Sequence, residues 1–264
     1  MGELVHQLTC FGRAWSKRAN PRGRWRIGRA LQTGDRIYMF GYSRGAFAVR
    51  SLAGIIDSVE SLYYKFAQSR YVDRVWRRYQ VLRRSDDFKS RYCHGDVKIN
   101  KMGIYDNVSA LSVNFSWFAQ ILPDNYSFHN HRISDCVLVG YHALAWDEAR
   151  AVSAPELWEA DETSALYEIE QMWFSGSHVA IGGIFRGHEI ARPLSNTPMI
   201  WMMEHAERHG LRLPEALRNG LHINANAQNV GKSRGLGRLI WLLAKRQVKL
   251  SSFKWIHPSV SDRN

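Results

Sequence analysis

Cysteine is scarce in this sequence: among 264 residues there are three, Cys10, Cys93 and Cys136. An odd count without a Cys-x-x-Cys pair argues against a disulfide framework, and the spacing does not match a zinc site. We therefore expect the three cysteines to be small, buried apolar residues of a protein made in a reducing compartment.

Long apolar runs are missing as well. No uninterrupted stretch approaches the roughly 20 residues that a membrane-spanning helix needs. The most apolar stretch near the end, residues 236–244, is short and is broken by Gly237 and Arg238. The first residues lack the basic start and apolar core of a signal peptide. We expect a protein without a transmembrane segment, either cytoplasmic or exported without a signal peptide.

Acidic residues are few relative to basic ones: the sequence contains 24 Asp and Glu and 36 Lys and Arg, which gives a formal net charge of +12. Such a surface attracts polyanions, either nucleic acid or the anionic face of a membrane. The arginines concentrate in residues 13–29 and 70–84. No stretch resembles a nucleic-acid-binding motif, so nucleic acid is not the expected partner. The arginine clusters are compatible with peripheral contact with an anionic membrane. The alternative is that they form a solvated helix face.

The composition otherwise resembles that of a folded globular domain, with 45% hydrophobic residues, 23% charged residues and ten tryptophans. So many large aromatic side chains favour a substantial core over disorder. The composition of the sequence changes near residue 33, from a basic segment rich in glycine and arginine to alternating apolar and polar runs. We therefore divide the chain into a divergent basic segment, 1–33, and one domain, 34–264.

Short β-prone runs alternate with helical spacing along that domain. The pattern predicts strands over 36–41, 99–105 and 171–174, a further short strand over 4–11, and helices over 46–56, 59–92, 133–145 and 197–209. Strands that alternate with helices indicate an α/β fold with a mostly parallel sheet flanked by helices. In such sheets, functional residues gather at the carboxyl ends of the strands.

Residues 41–45 read Gly-Tyr-Ser-Arg-Gly and fit the Gly-x-Ser-x-Gly pattern of a nucleophile elbow. This turn holds a serine hydroxyl clear of the sheet, and glycines such as Gly41 and Gly45 are needed because the backbone there is crowded. The pentapeptide alone is a weak signal, but here a predicted strand precedes it and a predicted helix follows. Ser43 is therefore the candidate nucleophile of a serine hydrolase, with a purely structural turn as the alternative.

A serine nucleophile needs a histidine base and a carboxylate that orients the base. In the α/β-hydrolase fold, the carboxylate comes after the serine in the chain, and the histidine comes after the carboxylate. Asp106 directly follows a predicted strand, although an Asp-Asn pair also suits a turn or a helix cap. His178 follows another strand and enters a glycine-containing loop. The rival histidines are His142, His188 and His257, none of which combines a strand end with small neighbours.

Residues 34–46 and 50–56 resemble the nucleophile segment of the DUF2235 hydrolases, which include the catalytic domain of type VI secretion phospholipase effectors of the Tle1 type. Four further stretches agree with that family in the same order, residues 103–108, 142–150, 173–178 and 256–260. The resemblance extends over about residues 31–263, and several ordered motifs are more specific than one elbow.

The resemblance implies an α/β-hydrolase domain that cleaves carboxylic esters, with a glycerophospholipid as the substrate. It implies Ser43 as nucleophile, Asp106 as acid and His178 as base, and the backbone amide of Arg44 as an oxyanion donor. Neither a metal nor an organic cofactor is expected. A secretion system or an immunity protein would be the protein partner. The motif around His142 is interpreted as a structural helix, with Asp147, Glu148 and Arg150 in ion pairs.

The sequence departs from the family pattern in its first 42 residues, which contain no strand ending in Asp-Gly-Thr. We therefore expect the sheet to lack N-terminal strands of the family, and with them one source of oxyanion donors. Ala180 and Asn107 also replace residues typical of the family. The alternative to a phospholipase is thus a truncated, catalytically weak or inactive member that acts as a binding or interaction module.

Overall fold

A computed structural model describes ten parts of the chain: residues 5–10, 35–59, 61–62, 93–94, 97–108, 132–148, 155–159, 168–183, 189–230 and 254–263. The strands within them are β1 (Val5–Cys10), β2 (Arg36–Tyr42), β3 (Ser61–Leu62), β4 (Cys93–His94), β5 (Lys101–Tyr105), β6 (Val139–Ala145), β7 (Glu168–Phe174) and β8 (Lys254–Ile256). The α-helices are α1 (Arg44–Val59), α2 (His178–Ile181) and α3 (Arg192–Arg208). Short 3-10 turns lie at Glu189–Ala191, Glu215–Leu217 and Pro258–Val260.

Six of these strands form one sheet in the order β1-β2-β5-β6-β7-β8, and every neighbouring pair is parallel. The predicted α/β class with a mostly parallel sheet is therefore confirmed. β1 lies beside β2, and Cys10 at its end is level with Gly41. The boundary drawn at residue 33 stays a prediction, although β1, from the segment before it, joins the sheet.

The two faces of the sheet are covered by different helices, as a parallel sheet requires. On one face, Ile37 and Met39 of β2 and Met102 of β5 belong to the same apolar cluster as Val49 and Ala53 of α1. On the other face, residues of β6 and β7 pack with α3, namely Val139, Tyr141, Ala143, Ala145, Phe174, Trp201 and Met202. The carboxyl ends of β2, β5 and β7 are thereby held at one end of the sheet.

The predicted strands at 36–41, 99–105 and 171–174 correspond to β2, β5 and β7, and the predicted helices at 46–56 and 197–209 to α1 and α3. The predicted short strand at 4–11 corresponds to β1. Nearly all of the predicted helix at 59–92, including its arginine cluster, lies outside the described residues, as does the cluster at 13–29.

The helix predicted at 133–145 is wrong, because its second half is the strand β6. All seven residues of β6 are buried. A strand covered on both faces reads as a nearly continuous apolar run, and such a run cannot be told from a buried helix by periodicity alone. The His142 motif therefore begins on a central strand and not on a helix.

Cys136 is the one cysteine whose side chain the described residues include, and it is free and 5% exposed. Its thiol lies 3.4 Å from the carbonyl oxygen of Ala53. Burial raises the pKa of this thiol to about 12, so it stays protonated and unreactive at neutral pH. The expectation of a buried, inert cysteine is confirmed at this position.

A polar cluster lies between the sheet and α3, near the amino ends of the strands. Lys101 is fully buried, its Nζ donates to the carbonyl oxygen of Met202 at 3.1 Å, and burial lowers its pKa to about 6. The Tyr141 hydroxyl donates to Glu168 and lies 2.9 Å from Nε2 of His209. Burial, followed by the bond to Glu168, raises the pKa of Tyr141.

His205 of α3 belongs to this cluster and is 3% exposed. Burial, followed by the positive charge of Arg208, lowers its pKa to about 3. Its Nε2 lies 3.2 Å from the Arg208 guanidinium, which can only donate, and 3.8 Å from the Glu170 carboxylate. The imidazole of the folded protein is therefore neutral and accepts from Arg208.

We expect His205 to make the folded protein sensitive to acid. Between its ordinary pKa of 6.5 and its folded value of about 3, the unfolded chain binds a proton here and the folded chain does not. The free energy of unfolding therefore falls as pH falls, by about 2 kcal/mol from this group between pH 7 and pH 5. Urea unfolding of His205→Gln at both pH values checks this, because the variant should lose correspondingly less than the wild type. Equal losses in the two proteins would contradict the assignment.

None of the helices that the structure describes is long and apolar enough to cross a membrane.

Candidate functional site

Ser43 lies in the tight turn between β2 and α1, as the Gly-x-Ser-x-Gly pattern predicts. Its φ of 55° places a non-glycine residue in the left-handed region, the strained conformation that turns a nucleophile away from the sheet. Its amide donates to the carbonyl oxygen of Tyr105 at 2.9 Å, so the ladder between β2 and β5 continues into the turn. Arg44 begins α1, and its amide therefore belongs to the first helical turn, where amides lack intrahelical partners.

Gly41 is required by a close approach of two backbone segments. A Cβ atom on Gly41 would lie 2.6 Å from the carbonyl oxygen of Gly45 and 2.8 Å from Cα of Ala46. Contacts this short with backbone atoms can be relieved only if the turn itself moves. Gly41 thus allows β2 to pass directly into α1.

We expect Gly41→Ala to destabilise the fold by about 1–3 kcal/mol, since the added methyl group meets backbone atoms. The measurement is urea unfolding of the variant beside Gly220→Ala, a control site where an added Cβ has nothing within 4 Å. A Gly41→Ala protein as stable as the control would show that the turn is not tightly packed.

Asp106 directly follows β5, and its backbone also has a positive φ, 40°. The residue is fully buried. Its amide donates to the carbonyl oxygen of Ala143 at 2.7 Å, and its Oδ1 accepts from the amide of Ala145 at 3.1 Å. Both contacts come from β6, so the neighbouring strand holds the carboxylate in place.

His178 is the first residue of α2, four residues after the end of β7. Its Nδ1 lies 2.6 Å from Oδ2 of Asp106, and its Nε2 lies 2.9 Å from Oγ of Ser43. The structure thus brings together the three side chains that the sequence selected. Because Nδ1 donates its hydrogen to the carboxylate, Nε2 carries the lone pair that accepts from the serine hydroxyl.

Tyr42, the variable residue before the serine, is a contact that sequence reasoning missed. Its ring centroid lies 4.8 Å from that of His178, and its hydroxyl donates to the His178 carbonyl oxygen at 3.1 Å. Gly182 lies against the Tyr42 ring, since a Cβ there would come within 2.1 Å of it. Tyr42 therefore packs the histidine against the turn.

The rival histidines have other surroundings. His142 is fully buried in β6, where its Nε2 accepts from the Asn107 amide at 3.1 Å. His257 caps a 3-10 turn by accepting from the Ser259 amide, and burial lowers its pKa. His188 lies outside the described residues. Neither described rival contacts Ser43 through a hydrogen bond that the structure records.

The carboxylates of the His142 motif were expected in ion pairs on a helix, and they instead follow a strand. Asp147 accepts from the amide of Gly176 at 2.9 Å, and Glu148 accepts from the amide of His178 at 3.1 Å. Arg150 lies outside the described residues. The motif thus contacts the loop that carries His178.

No three His, Cys, Asp or Glu residues within the described ranges are arranged to hold a metal ion. The expectation that no metal or cofactor is needed stays a prediction.

Similarities to known proteins come from a family model, a protein sequence and a crystal structure. Residues 25–205 match the model of the family described as T6SS, Phospholipase effector Tle1-like, catalytic domain. The chain is also 32% identical over 97 residues to Uncharacterized protein YEL023C of Saccharomyces cerevisiae, covering 31% of this chain and 14% of that protein. A crystal structure of an uncharacterized protein from Pseudomonas aeruginosa is similar at 16% identity and a TM-score of 0.45, covering 78% of this chain and 29% of that one.

The chain thus spans a small part of the length of both proteins. The family model, in contrast, matches more than half of this chain and includes the elbow, Asp106 and His178. The chain therefore belongs to the family of the T6SS phospholipase effector Tle1-like catalytic domain.

Proposed function

We propose that this chain is a serine hydrolase that cleaves the carboxylic esters of phospholipids, with Ser43 as the nucleophile. The observation that carries the proposal is the continuous hydrogen-bonded path from Ser43 Oγ through His178 to the buried carboxylate of Asp106, with steps of 2.9 and 2.6 Å. Membership in a phospholipase family supports the choice of a lipid ester as substrate.

In the first half of the reaction, Nε2 of His178 takes the proton of the Ser43 hydroxyl while Oγ attacks the ester carbonyl carbon. The carbonyl oxygen becomes an oxyanion, towards which the Arg44 amide donates. His178 then returns the proton to the departing alcohol, and the acyl group remains on Ser43. Asp106 holds the imidazole in the tautomer that accepts from serine and stabilises the imidazolium that forms.

In the second half, a water molecule takes the place of the serine hydroxyl. His178 removes a proton from the water, the resulting hydroxide attacks the acyl carbonyl carbon, and Ser43 leaves with the proton that His178 carries. The products are a free fatty acid and the regenerated enzyme. Every proton moved in either half is transferred through the same imidazole.

The second oxyanion donor is expected from the loop after the strand beside the nucleophile strand. β1 occupies that position in the sheet and ends at Cys10, level with Gly41. The residues after Cys10 lie outside those described.

Fatty-acid release from phospholipid vesicles tests the proposed function. We expect the wild type to hydrolyse vesicles that contain phosphatidylglycerol and phosphatidylethanolamine, and Ser43→Ala to release no fatty acid above background. A soluble short-chain ester assayed in parallel separates a lipid preference from general esterase activity. Folded wild-type protein that hydrolyses neither substrate would overturn the proposal and would favour a binding module.

A further inference from the structure

The loop that carries His178 is held through three consecutive backbone amides, each of which donates to a side chain from elsewhere in the chain. The Gly176 amide donates to Oδ2 of Asp147 at 2.9 Å, and the Ser177 amide donates to Oδ1 of Asn229 at 3.0 Å. The His178 amide donates to Oε2 of Glu148 at 3.1 Å. Because a backbone amide needs an acceptor, three side-chain acceptors at consecutive positions define the path of this loop.

Two of these acceptors are bonded to each other. Nδ2 of Asn229 donates to the same Oδ2 of Asp147 that accepts from Gly176, at 2.9 Å. The Asp147 amide in turn donates to the Gly176 carbonyl oxygen at 3.0 Å. Asp147, Asn229 and residues 176–177 therefore close a ring of hydrogen bonds directly before His178.

A second contact ties the same segments together, because the Ser177 hydroxyl donates to the carbonyl oxygen of Val230. Asn229 and Val230 are more than 50 residues away in the chain from the residues of the loop that they contact. The loop is thus fixed between the end of β6, which leads to Asp147, and the segment around Asn229.

The backbone around His178 supplies little regular secondary structure of its own. α2 has only four residues, and Gly176 has a φ of 132°, a conformation that other residues rarely adopt. The imidazole of His178 must stay between Oδ2 of Asp106 and Oγ of Ser43, and a displacement of about 1 Å in such a geometry can lower the rate by about a hundredfold.

We propose that Asp147 and Asn229 are positioning residues that hold the His178 loop so that the imidazole bridges Asp106 and Ser43. The inference rests on the proposed function, since it takes His178 to be the base. It extends that function to two residues that lie outside the Ser-His-Asp path and that a sequence pattern for serine hydrolases does not include. Both side chains are partly exposed, so they can be substituted without opening the core.

Steady-state hydrolysis of a soluble ester by folded variants tests the role of Asn229. We expect Asn229→Ala to lower kcat about tenfold to a hundredfold with KM changed less than twofold, because the base is displaced while the substrate surface is kept. Asn226→Ala, three residues earlier in the chain at an exposed position, is the control and should keep the wild-type kcat.

A charge exchange distinguishes positioning from a general loss of stability. Asn229→Asp places a second carboxylate against Asp147, and we expect at least the same loss of kcat as in Asn229→Ala. Adding Asp147→Asn removes the charge repulsion and should restore part of the lost kcat. Recovery stays incomplete, because one atom of the new amide cannot both accept from the Gly176 amide and donate to the carboxylate at position 229. This pair of measurements decides the question if Asn229→Ala does not fold.

The proposal is overturned if folded Asn229→Ala keeps the wild-type kcat, if the loss is confined to KM, or if Asp147→Asn fails to restore any activity to Asn229→Asp. Wild-type protein that does not react at Ser43 would instead refute the proposed function itself. The two failures are therefore distinguishable in the same set of proteins.

Discussion

Replacement of His178 with alanine is expected to lower ester hydrolysis by roughly a millionfold, the scale on which a serine hydrolase loses turnover when its base is removed. His178 Nε2 is 2.9 Å from Ser43 Oγ and is the imidazole nitrogen placed to accept the serine proton. Without it the hydroxyl remains protonated at neutral pH and is a weak nucleophile. The measurement is kcat for a soluble ester, with thermal unfolding as the check that the variant folds.

The matched control for this prediction is His222→Ala. His222 is exposed, and the hydrogen bond that the structure records for it uses its backbone carbonyl oxygen, which the substitution keeps. We expect its kcat to equal that of the wild type. A folded His178→Ala protein with more than about a tenth of the wild-type kcat would remove His178 from the role of base.

Asp106→Asn is expected to lower kcat by roughly ten-thousandfold while the fold is retained. Oδ2 of Asp106 accepts from Nδ1 of His178 at 2.6 Å, and Oδ1 accepts from the Ala145 amide at 3.1 Å. In Asp106→Asn, the side-chain amide nitrogen replaces one of these two carboxylate oxygens. If the Ala145 amide keeps the oxygen, the nitrogen faces His178, which must then present a lone pair at Nδ1 and a hydrogen at Nε2, the wrong tautomer for a base.

Asp135→Asn provides the control for a loss of one negative charge, because Asp135 is exposed and lies outside the site. The kcat of this variant should be unchanged. An Asp106→Asn protein that keeps full kcat would contradict the orienting role. If Asp106→Asn fails to fold, Asp106→Ala measured with the same two assays decides whether the carboxylate is needed for folding or for catalysis.

Two residues of the candidate site, Ser43 and Asp106, could be selected from the sequence because each directly follows a short apolar run. Parallel strands bring their carboxyl ends to the same edge of a sheet, so Ser43 after β2 and Asp106 after β5 become neighbours across one ladder. His178 required more, since it lies after a turn of three residues and competes with ten other histidines. The nearby glycines and the family resemblance selected it.

Contacts between segments distant in the chain could not be predicted in this way. Asn229 braces the His178 loop from 52 positions away along the chain, and nothing in its local sequence indicates that role. Tyr42 occupies the variable position of the elbow, where many residue types are accepted. The Asp-Glu pair at 147–148 was noticed as part of a motif, but its partners depend on β6 being a strand, which the apolar run had concealed.

The central claim is that Ser43 is a nucleophile activated by His178, and covalent trapping tests it most directly. A fluorophosphonate probe is incubated with the folded protein, and the modified peptide is identified by mass spectrometry. We predict a single adduct on Ser43 in the wild type, a greatly slowed adduct in His178→Ala and none in Ser43→Ala. Folded wild-type protein that forms no adduct, or forms it on another residue, would contradict the account.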